Sequence, residues 1–325
     1  MVSGIILNAL GLPRSIDESL ITQIANGQTT VEEAMGAPAY LVWAAQYLLF
    51  IGIWIVFPLA MLIPRANRRM LKKLLFVSNK RALAWFGIGA LLGFGINAFC
   101  VVASMLLGNI QLHFDHFEAW PFLLLLFAVF IQSGAEEIAS RLFLYQKLAR
   151  RYRNPWAAIV ISAVFFTAAH AFNPGITPVA IAQILAIGMI LAVLVCYYDA
   201  LGACIAMHTM WNFTQNIIFG LPNSGVVSLY SVFKLDGAST GFFFDPVFGV
   251  EDSIGAVLLL TIVCVCLIVY AKKHGLKPYD LWADEGVPGA KHAKQCRAAV
   301  GGNSQRQAVP RPQLEAAPSD RTRPS

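Results

Sequence analysis

Residues 120–145 read WPFLLLLFAVFIQSGAEEIASRLFLY, an apolar stretch that carries three charged residues, Glu136, Glu137 and Arg141, in its second half. Each charge costs about 2.5 to 3.5 kcal/mol at the centre of a membrane helix. The thirteen Leu, Ile, Phe and Val residues of the stretch return only about 0.3 to 0.6 kcal/mol each. Because such a helix is close to break-even alone, its charged face must meet partners inside a helical bundle or a water-filled cavity.

The whole chain has the composition of a membrane protein. Of its 325 residues, 57% are apolar and 13% are charged, whereas a soluble domain carries roughly 25% charged residues. The apolar runs give seven candidate spans, at 40–63, 82–108, 120–145, 155–172, 177–198, 200–220 and 254–271. The sequence therefore predicts an all-α, polytopic transmembrane bundle of about seven spans, with an active site inside the bundle.

Basic residues are concentrated in loops that seven spans would place on one side. Seven of the 24 Lys and Arg residues lie in 64–81, others follow the third and last spans, and the opposite loops are acidic apart from Lys234. The positive-inside rule predicts a multi-pass protein of the cell membrane with its N-terminus outside and its C-terminus cytoplasmic. This distribution also explains the net charge of +6 without a nucleic-acid partner.

Composition divides the chain into three parts. Residues 1–38 form an acidic N-terminal segment, residues 39–272 the transmembrane domain with its motifs in 120–215, and residues 273–325 a basic tail. The tail has few large apolar residues, so we expect it to be disordered. Residues 221–252 form a long external loop, which is interpreted as a lid, a re-entrant segment or a plain loop on the membrane surface.

The spacing of the three charges separates the two carboxylates. Residues four apart share one face of a helix, whereas adjacent residues point about 100° apart. Glu137 can therefore pair with Arg141, which leaves Glu136 free to face a cavity. The alternative is an ion-paired trio that only fixes helix packing.

Two histidines favour a functional site over an ion-paired trio that only fixes helix packing. Among six histidines, only His170 and His208 lie in apolar helices, and His208 shares a helix face with Asn212. A single buried histidine is more often a packing residue than a functional one. Two of them on separate helices, beside a helix with carboxylates, indicate an active site.

Together the motifs resemble those of the CPBP intramembrane proteases, which include CAAX prenyl endopeptidases of the Ras-converting type and bacteriocin-processing proteins. The motifs are E-E-x-x-x-R from Glu136, F-x-x-x-H from Phe166 and H-x-x-x-N from His208, in the order of the family. The resemblance covers residues 120–215. It implies hydrolysis of a peptide bond in a membrane-associated or prenylated protein or peptide, so the expected partners are membrane lipid and that substrate.

The resemblance also implies roles for individual residues. In the mechanism usually drawn for the family, Glu136 and His170 would activate a water, and His208 and Asn212 would stabilise the oxyanion. Glu137, Arg141 and Phe166 would support them. Members have also been described as metalloproteases; in that case Glu136, His170 and His208 would bind zinc. No H-E-x-x-H helix is present, so the metal-free, cofactor-free mechanism is preferred.

Two other classes of protein fit the same polar residues. A non-catalytic membrane scaffold or regulatory protein of the same family would use the motifs only to pack its helices. A proton-coupled transporter would also bury Glu and His residues.

The predicted spans place two of the candidate residues at different depths. At 1.5 Å per residue, Glu136 would lie about 24 Å below the outer end of its span, and His170 about 22 Å above the inner end of the next. In a hydrocarbon core of about 30 Å these positions do not meet. Either the helices are tilted and longer than predicted, or residues 147–154 lie outside a lower-lying helix.

Overall fold

The computed structural model describes residues 36–75, 79–152 and 154–283. Most of the acidic segment 1–38 and most of the tail 273–325 lie outside these ranges, so the boundaries proposed from composition stay predictions.

Within these ranges the chain is helical, with one two-stranded sheet. The elements are α1 (Ala39–Leu62), α2 (Arg68–Leu71), α3 (Lys80–Leu106), β1 (Ile110–Phe114), α4 (Ala119–Arg151), α5 (Pro155–Ala169), α6 (Pro178–Tyr198), α7 (Leu201–Phe213), β2 (Phe233–Ala238) and α8 (Ile254–Lys273). Helix α1 is irregular at Leu49 and Phe50. Helix α4 includes a π-helical segment, Ile138–Tyr145, and α7 continues into a second, Thr214–Ile218.

Each predicted span corresponds to a helix, and the all-α polytopic bundle is confirmed. Of the described helices, five are long and apolar enough to cross a membrane, namely α1, α3, α4, α6 and α8. The helices at the other two predicted spans are shorter. Helix α5 has 15 residues, and α7 has 13 before its π-helical continuation.

Polar residues just before the apolar runs determine where several helices begin. The side chains of Asn79, Asn154, Thr177 and Ser253 each accept a hydrogen bond from a backbone N–H of the following first turn. A side-chain cap of this kind satisfies one of the four unpaired N–H groups of a helix start. At α5 and α6 the cap precedes a proline, which suits the first helical position because it has no N–H to leave unpaired.

Helices α6 and α7 form the centre of the bundle. In the most apolar part of α6, 67% of the residues are buried, whereas in α1 the share is 6%. Helix α7 packs tightly on α3, because a Cβ added at Gly93 would lie only 2.2 Å from the carbonyl oxygen of Met207. Small residues permit such close backbone contact between membrane helices. The contact holds α7 at Met207, directly before His208.

Helices α4 and α5 form a hairpin that brings Glu136 and His170 to one level. Glu136 lies fifteen residues before Arg151, where α4 ends, and His170 lies fifteen residues after Pro155, where α5 begins. Residues at equal distances from the turn of an antiparallel helix pair lie side by side. The mismatch in depth between the predicted spans is thus explained by the first alternative, because α4 runs on to Arg151 and is longer than the predicted span.

The segment 221–252 is folded against the bundle. Its strand β2 pairs antiparallel with β1, from Ile110 opposite Ala238 to Phe114 opposite Phe233. Phe244, Phe248 and Glu251 in the same segment are buried. The sheet was not predicted from the sequence, because its two short strands are far apart in the chain. The segment therefore contributes both a sheet and buried side chains to the domain.

Candidate active site

A cavity of about 540 Å³ opens between helices α1, α4, α5, α6 and α7 and the segment 221–252. Part of its lining is polar, formed by Gln132, Glu136, His170, His208, Asn212, Asn223 and Glu251. The rest is aromatic or aliphatic and includes Trp43, Tyr47, Phe50, Phe165, Ile184 and Leu191. All four residues predicted to be catalytic therefore line one cavity.

Glu136 presents an unpartnered oxygen to the cavity. Its Oε1 accepts a hydrogen bond of 2.5 Å from Nε2 of Gln132. Its Oε2 lies 3.7 Å from Nε2 of His170 and 3.9 Å from Nε2 of His208, and it has no hydrogen-bond partner among the described residues. Both distances exceed those of direct hydrogen bonds. Glu136 is thus the free carboxylate that the helix spacing predicted.

Glu137 is fully buried and joins two other polar residues. Its Oε1 accepts hydrogen bonds from Nη1 of Arg141 at 3.2 Å and from Nδ1 of His208 at 3.0 Å. The predicted i, i+4 ion pair is confirmed. Because the same oxygen also binds His208, Glu137 couples α4 to α7 inside the bundle.

Arg141 is equally buried, and the structure surrounds it with acceptors. Besides Glu137, it donates to the Oγ of Ser140 at 2.7 Å and to the carbonyl oxygen of Gly188 at 3.2 Å. Its guanidinium lies 4.2 Å from the ring centre of Phe166, a typical cation–π distance. Arg141 therefore connects α4 with α5 and α6.

The end of α5 fixes the ring of His170. The last carbonyls of a helix have no partner within it, and Nδ1 of His170 binds the carbonyl oxygen of Phe166 at 2.8 Å. A carbonyl only accepts, so Nδ1 carries the proton. In the neutral ring Nε2 then has a free lone pair, which faces Oε2 of Glu136.

His208 has the same tautomer for a different reason. Its Nδ1 donates to the carboxylate of Glu137, which leaves Nε2 of the neutral ring unprotonated. That atom also faces Oε2 of Glu136. When the ring is neutral, three hydrogen-bond acceptors converge on one point of the cavity, and when it is protonated, Nε2 of His208 is a donor beside two acceptors.

Asn212 lies beside this group, with its amide held by weak hydrogen bonds. Its Nδ2 contacts Oε1 of Gln132 at 3.3 Å and Oγ of Ser133 at 3.4 Å. Its Oδ1 accepts from Nδ2 of Asn223 at 3.3 Å. These distances exceed the usual 2.9 to 3.0 Å of an N–H···O bond. The N–H groups of Asn212 can therefore exchange these partners for a stronger acceptor at little cost in free energy.

The part of the chain that carries this site matches a known protein family. Residues 118–214 match the family model described as type II CAAX prenyl endopeptidase Rce1-like. This part of the chain is therefore similar to the CPBP/CAAX protease family, and the match supports that family at residues 118–214. No curated protein and no solved structure is similar enough to the chain to be matched.

The match indicates a class of protein. The matched family is one of CAAX-type intramembrane proteases, which are peptidases and hydrolases. Together with the apolar helices, the match supports an integral membrane protein.

The converging acceptors lie farther apart than the ligand atoms of a zinc site. Tetrahedral zinc, with bonds of about 2.0 to 2.1 Å, holds its ligand atoms about 3.4 Å apart. Here Oε2 of Glu136 is 3.7 Å and 3.9 Å from the two Nε2 atoms. Within the described ranges, no group of three or more His, Cys, Asp or Glu side chains is arranged to hold a metal ion. As placed, the three side chains do not close around zinc.

Three of the polar residues of the site, Gln132, Asn223 and Glu251, were missed in the sequence. Gln132 lies four residues before Glu136, and its polarity in an apolar helix was a usable signal. Glu251 lies among the acidic residues of a loop expected to be external, and nothing local distinguishes it from Asp252. In the structure Glu251 is 5% exposed and lines the cavity. Its burial raises the pKa of this carboxyl, while hydrogen bonds from Ser224 and Trp211 act in the opposite direction.

Proposed function

We propose that the chain is an intramembrane endopeptidase in which Glu136 and His170 activate a water, while His208 and Asn212 stabilise the oxyanion. The observation that carries this proposal is the convergence of Oε2 of Glu136 with Nε2 of His170 and of His208. A water molecule at that point can donate its two O–H groups to Oε2 of Glu136 and Nε2 of His170, and it can accept from Nε2 of a protonated His208. A water there would be held by the carboxylate that can deprotonate it.

In the first step, the water oxygen attacks the carbonyl carbon of the scissile peptide bond. Its proton passes to Oε2 of Glu136, and the carbonyl π electrons move to the oxygen, which becomes an oxyanion. His170 holds the water through its Nε2 lone pair. In the second step, the oxyanion electrons re-form the carbonyl as the carbon–nitrogen bond breaks, and Glu136 returns the proton to the amide nitrogen. An amine and a carboxylic acid are released, and the acid then loses its proton to water. General acid–base catalysis of this kind contributes about 10² to 10⁴ in rate.

The oxyanion requires two hydrogen-bond donors. Asn212 supplies an N–H group by giving up its long contacts to Gln132 and Ser133. His208 donates through Nε2 only when its ring is protonated, because its Nδ1–H group is bound to Glu137. The Glu137 carboxylate favours that protonated form through its opposite charge. Glu137 is thus proposed to orient the ring of His208 and to favour its protonated form.

The apolar part of the cavity supports a membrane-associated or prenylated substrate. Trp43, Tyr47 and Phe50 of α1, with Phe165 of α5, give the cavity aromatic walls next to the proposed catalytic groups. Such walls bind an apolar chain or a lipid-modified cysteine by removing their surface from water. Polar groups beside them would bind the peptide at the bond to be cut.

This proposal is tested with the purified protein in detergent and a peptide that ends in an S-farnesylated CAAX sequence. We expect cleavage, detected by mass spectrometry of the products, and cleavage at least about tenfold slower for the same peptide without the prenyl group, since apolar burial in the cavity would be lost. A strong chelator should leave the rate unchanged. Stoichiometric zinc, with activity that is lost on chelation and restored by zinc, would contradict the metal-free mechanism.

We also propose that the N-terminus is outside the cell and the C-terminus cytoplasmic, because the loop 64–81 is strongly basic. The measurement uses single cysteines in a background without the native ones. A cysteine at Arg65 should be protected from an impermeant thiol reagent in intact cells, and one at Gly237 should react. A Cβ at Gly237 meets nothing within 4 Å, so the second variant should fold. The reverse labelling pattern would overturn this orientation.

A further inference from the structure

Glu251 is a third carboxylate at the cavity, and it is densely hydrogen-bonded. Its Oε1 accepts from Nε1 of Trp211 at 3.1 Å and from Nδ2 of Asn223 at 3.0 Å. Its Oε2 accepts from the backbone N–H of Ser224 at 2.6 Å and from the Ser224 hydroxyl at 3.2 Å. Four donors from two parts of the chain therefore meet on one buried side chain. A buried carboxylate with this many partners holds them in a defined geometry.

The backbone around Glu251 is shaped to bring it there. Gly249 has a φ of +74°, in the left-handed region where glycine is favoured. A Cβ at this position would lie 2.1 Å from the carbonyl oxygen of Pro222. Gly249, just before Glu251 in the chain, thus packs directly on Pro222, which precedes Asn223 and Ser224.

A chain of amide hydrogen bonds runs from Glu251 to Glu136. Asn223 donates through Nδ2 both to Glu251 and to Oδ1 of Asn212. Asn212 donates to Oε1 of Gln132, and Gln132 donates to Oε1 of Glu136. Glu251 accepts from Nδ2 of Asn223, and because that same nitrogen faces Asn212, Asn212 must meet it with Oδ1 and not with its own N–H groups. Asn212 and Gln132 then both donate towards Glu136.

We propose that Glu251 is a positioning residue for the hydrolysis described above. It fixes the amide of Asn223, and through it the amide of Asn212, so that an N–H group of Asn212 and not its oxygen faces the developing oxyanion. The inference rests on the proposed function. Without the acceptor at Glu251 the amide of Asn223 can rotate, and a rotated Asn212 would present Oδ1 to the oxyanion, where two acceptors repel.

Glu251→Gln is the variant that tests this role. Asn223 donates to one oxygen of Glu251 and Ser224 to the other. Glutamine replaces one of these oxygens with an N–H₂ group, so it can accept at only one of the two positions. We expect kcat for the farnesylated CAAX peptide to fall about 10- to 100-fold, as is typical when a residue that orients a catalytic group is changed, with KM nearly unchanged. The matched control is Asp252→Asn, on the same short turn. Among the residues that the structure describes, its side chain accepts from Thr177 alone, and we expect wild-type kcat.

A double-mutant cycle separates positioning from a purely structural role. If Glu251 acts through Asn212, Glu251→Gln should reduce kcat less than about threefold in an Asn212→Ala background. Asn223→Ala removes the amide that links Glu251 to Asn212 but keeps the hydrogen bonds of Trp211 and Ser224 to Glu251. It should reduce kcat as much as Glu251→Gln does. It also replaces Glu251→Gln as the test if that variant folds poorly. The proposal would be overturned if Glu251→Gln reduced kcat by the same factor with and without Asn212→Ala. It would also be overturned if Glu251→Gln and Asn223→Ala both kept the wild-type kcat.

The same assay distinguishes this inference from the proposed function. An active Glu136→Gln variant would contradict the proposed hydrolytic role of Glu136 itself. An inactive Glu136→Gln variant beside fully active Glu251→Gln and Asn223→Ala variants would overturn only the role of Glu251.

Discussion

Replacing Glu136 with glutamine should reduce peptide cleavage by about 10² to 10⁴, the contribution of a general base, while the protein still folds and inserts. Glutamine has nearly the same shape and keeps an oxygen for the hydrogen bond from Gln132. It cannot take a proton from water. Because the Glu136 side chain is 21% exposed to the cavity and makes no ion pair shorter than 3.7 Å, its loss should not destabilise the bundle. Cleavage of the farnesylated peptide and the amount of detergent-soluble protein measure the two effects.

Neighbouring variants make this prediction specific. Glu118→Gln is the matched control, because it makes the same change at the other end of α4, outside the cavity lining, and should keep full activity. His170→Ala should be as inactive as Glu136→Gln. Asn212→Ala should retain a residual rate, reduced about 100- to 1000-fold by loss of one oxyanion donor.

The outcome also separates the classes of protein. A scaffold would keep its biological function in the Glu136→Gln variant, because a packing residue tolerates a substitution of equal shape. A proton-coupled transporter would show substrate flux in liposomes without peptide products. Either result would contradict the hydrolytic role of Glu136.

Arg141→Ala should be the most destabilising single change in the site. It removes the counter-ion of Glu137, and both side chains are fully buried, with an exposed fraction of 0%. Breaking a buried ion pair by removing one partner costs about 3 to 5 kcal/mol. The bonds to Ser140 and Gly188 and the contact with Phe166 are lost as well. We expect a sharp fall in the amount of folded protein and in its melting temperature.

Adding Glu137→Gln to Arg141→Ala should recover part of the folded protein, since the uncompensated charge is gone. Activity should not return with it, because His208 then lacks the carboxylate that orients and charges its ring. If Arg141→Ala were fully stable yet inactive, Arg141 would instead contact substrate or water, and the assignment of Glu137 as its partner would be wrong.

Several features of the site were readable from the sequence because they depend on neighbours along one helix. The pairing of Glu137 with Arg141, the isolation of Glu136, and the shared face of His208 and Asn212 follow from residues four apart. The level at which Glu136 meets His170 did not follow from the predicted span boundaries. This level depends on the length of α4, which continues for six residues beyond Tyr145. The sequence of those residues is basic and resembles a loop.

By itself the sequence determined a polytopic helical membrane protein with polar residues inside its bundle, because apolar length and helical spacing are local properties. Only the tertiary structure decided that Glu251 belongs to the site and that β1 pairs with β2. Glu251 is 28 residues from Asn223 and 40 from Trp211 along the chain. Its burial depends on how the segment 221–252 packs on the bundle. Contacts of such sequence separation arise from packing of the whole domain, and no local pattern distinguishes a carboxylate that will be buried from one that will stay in water.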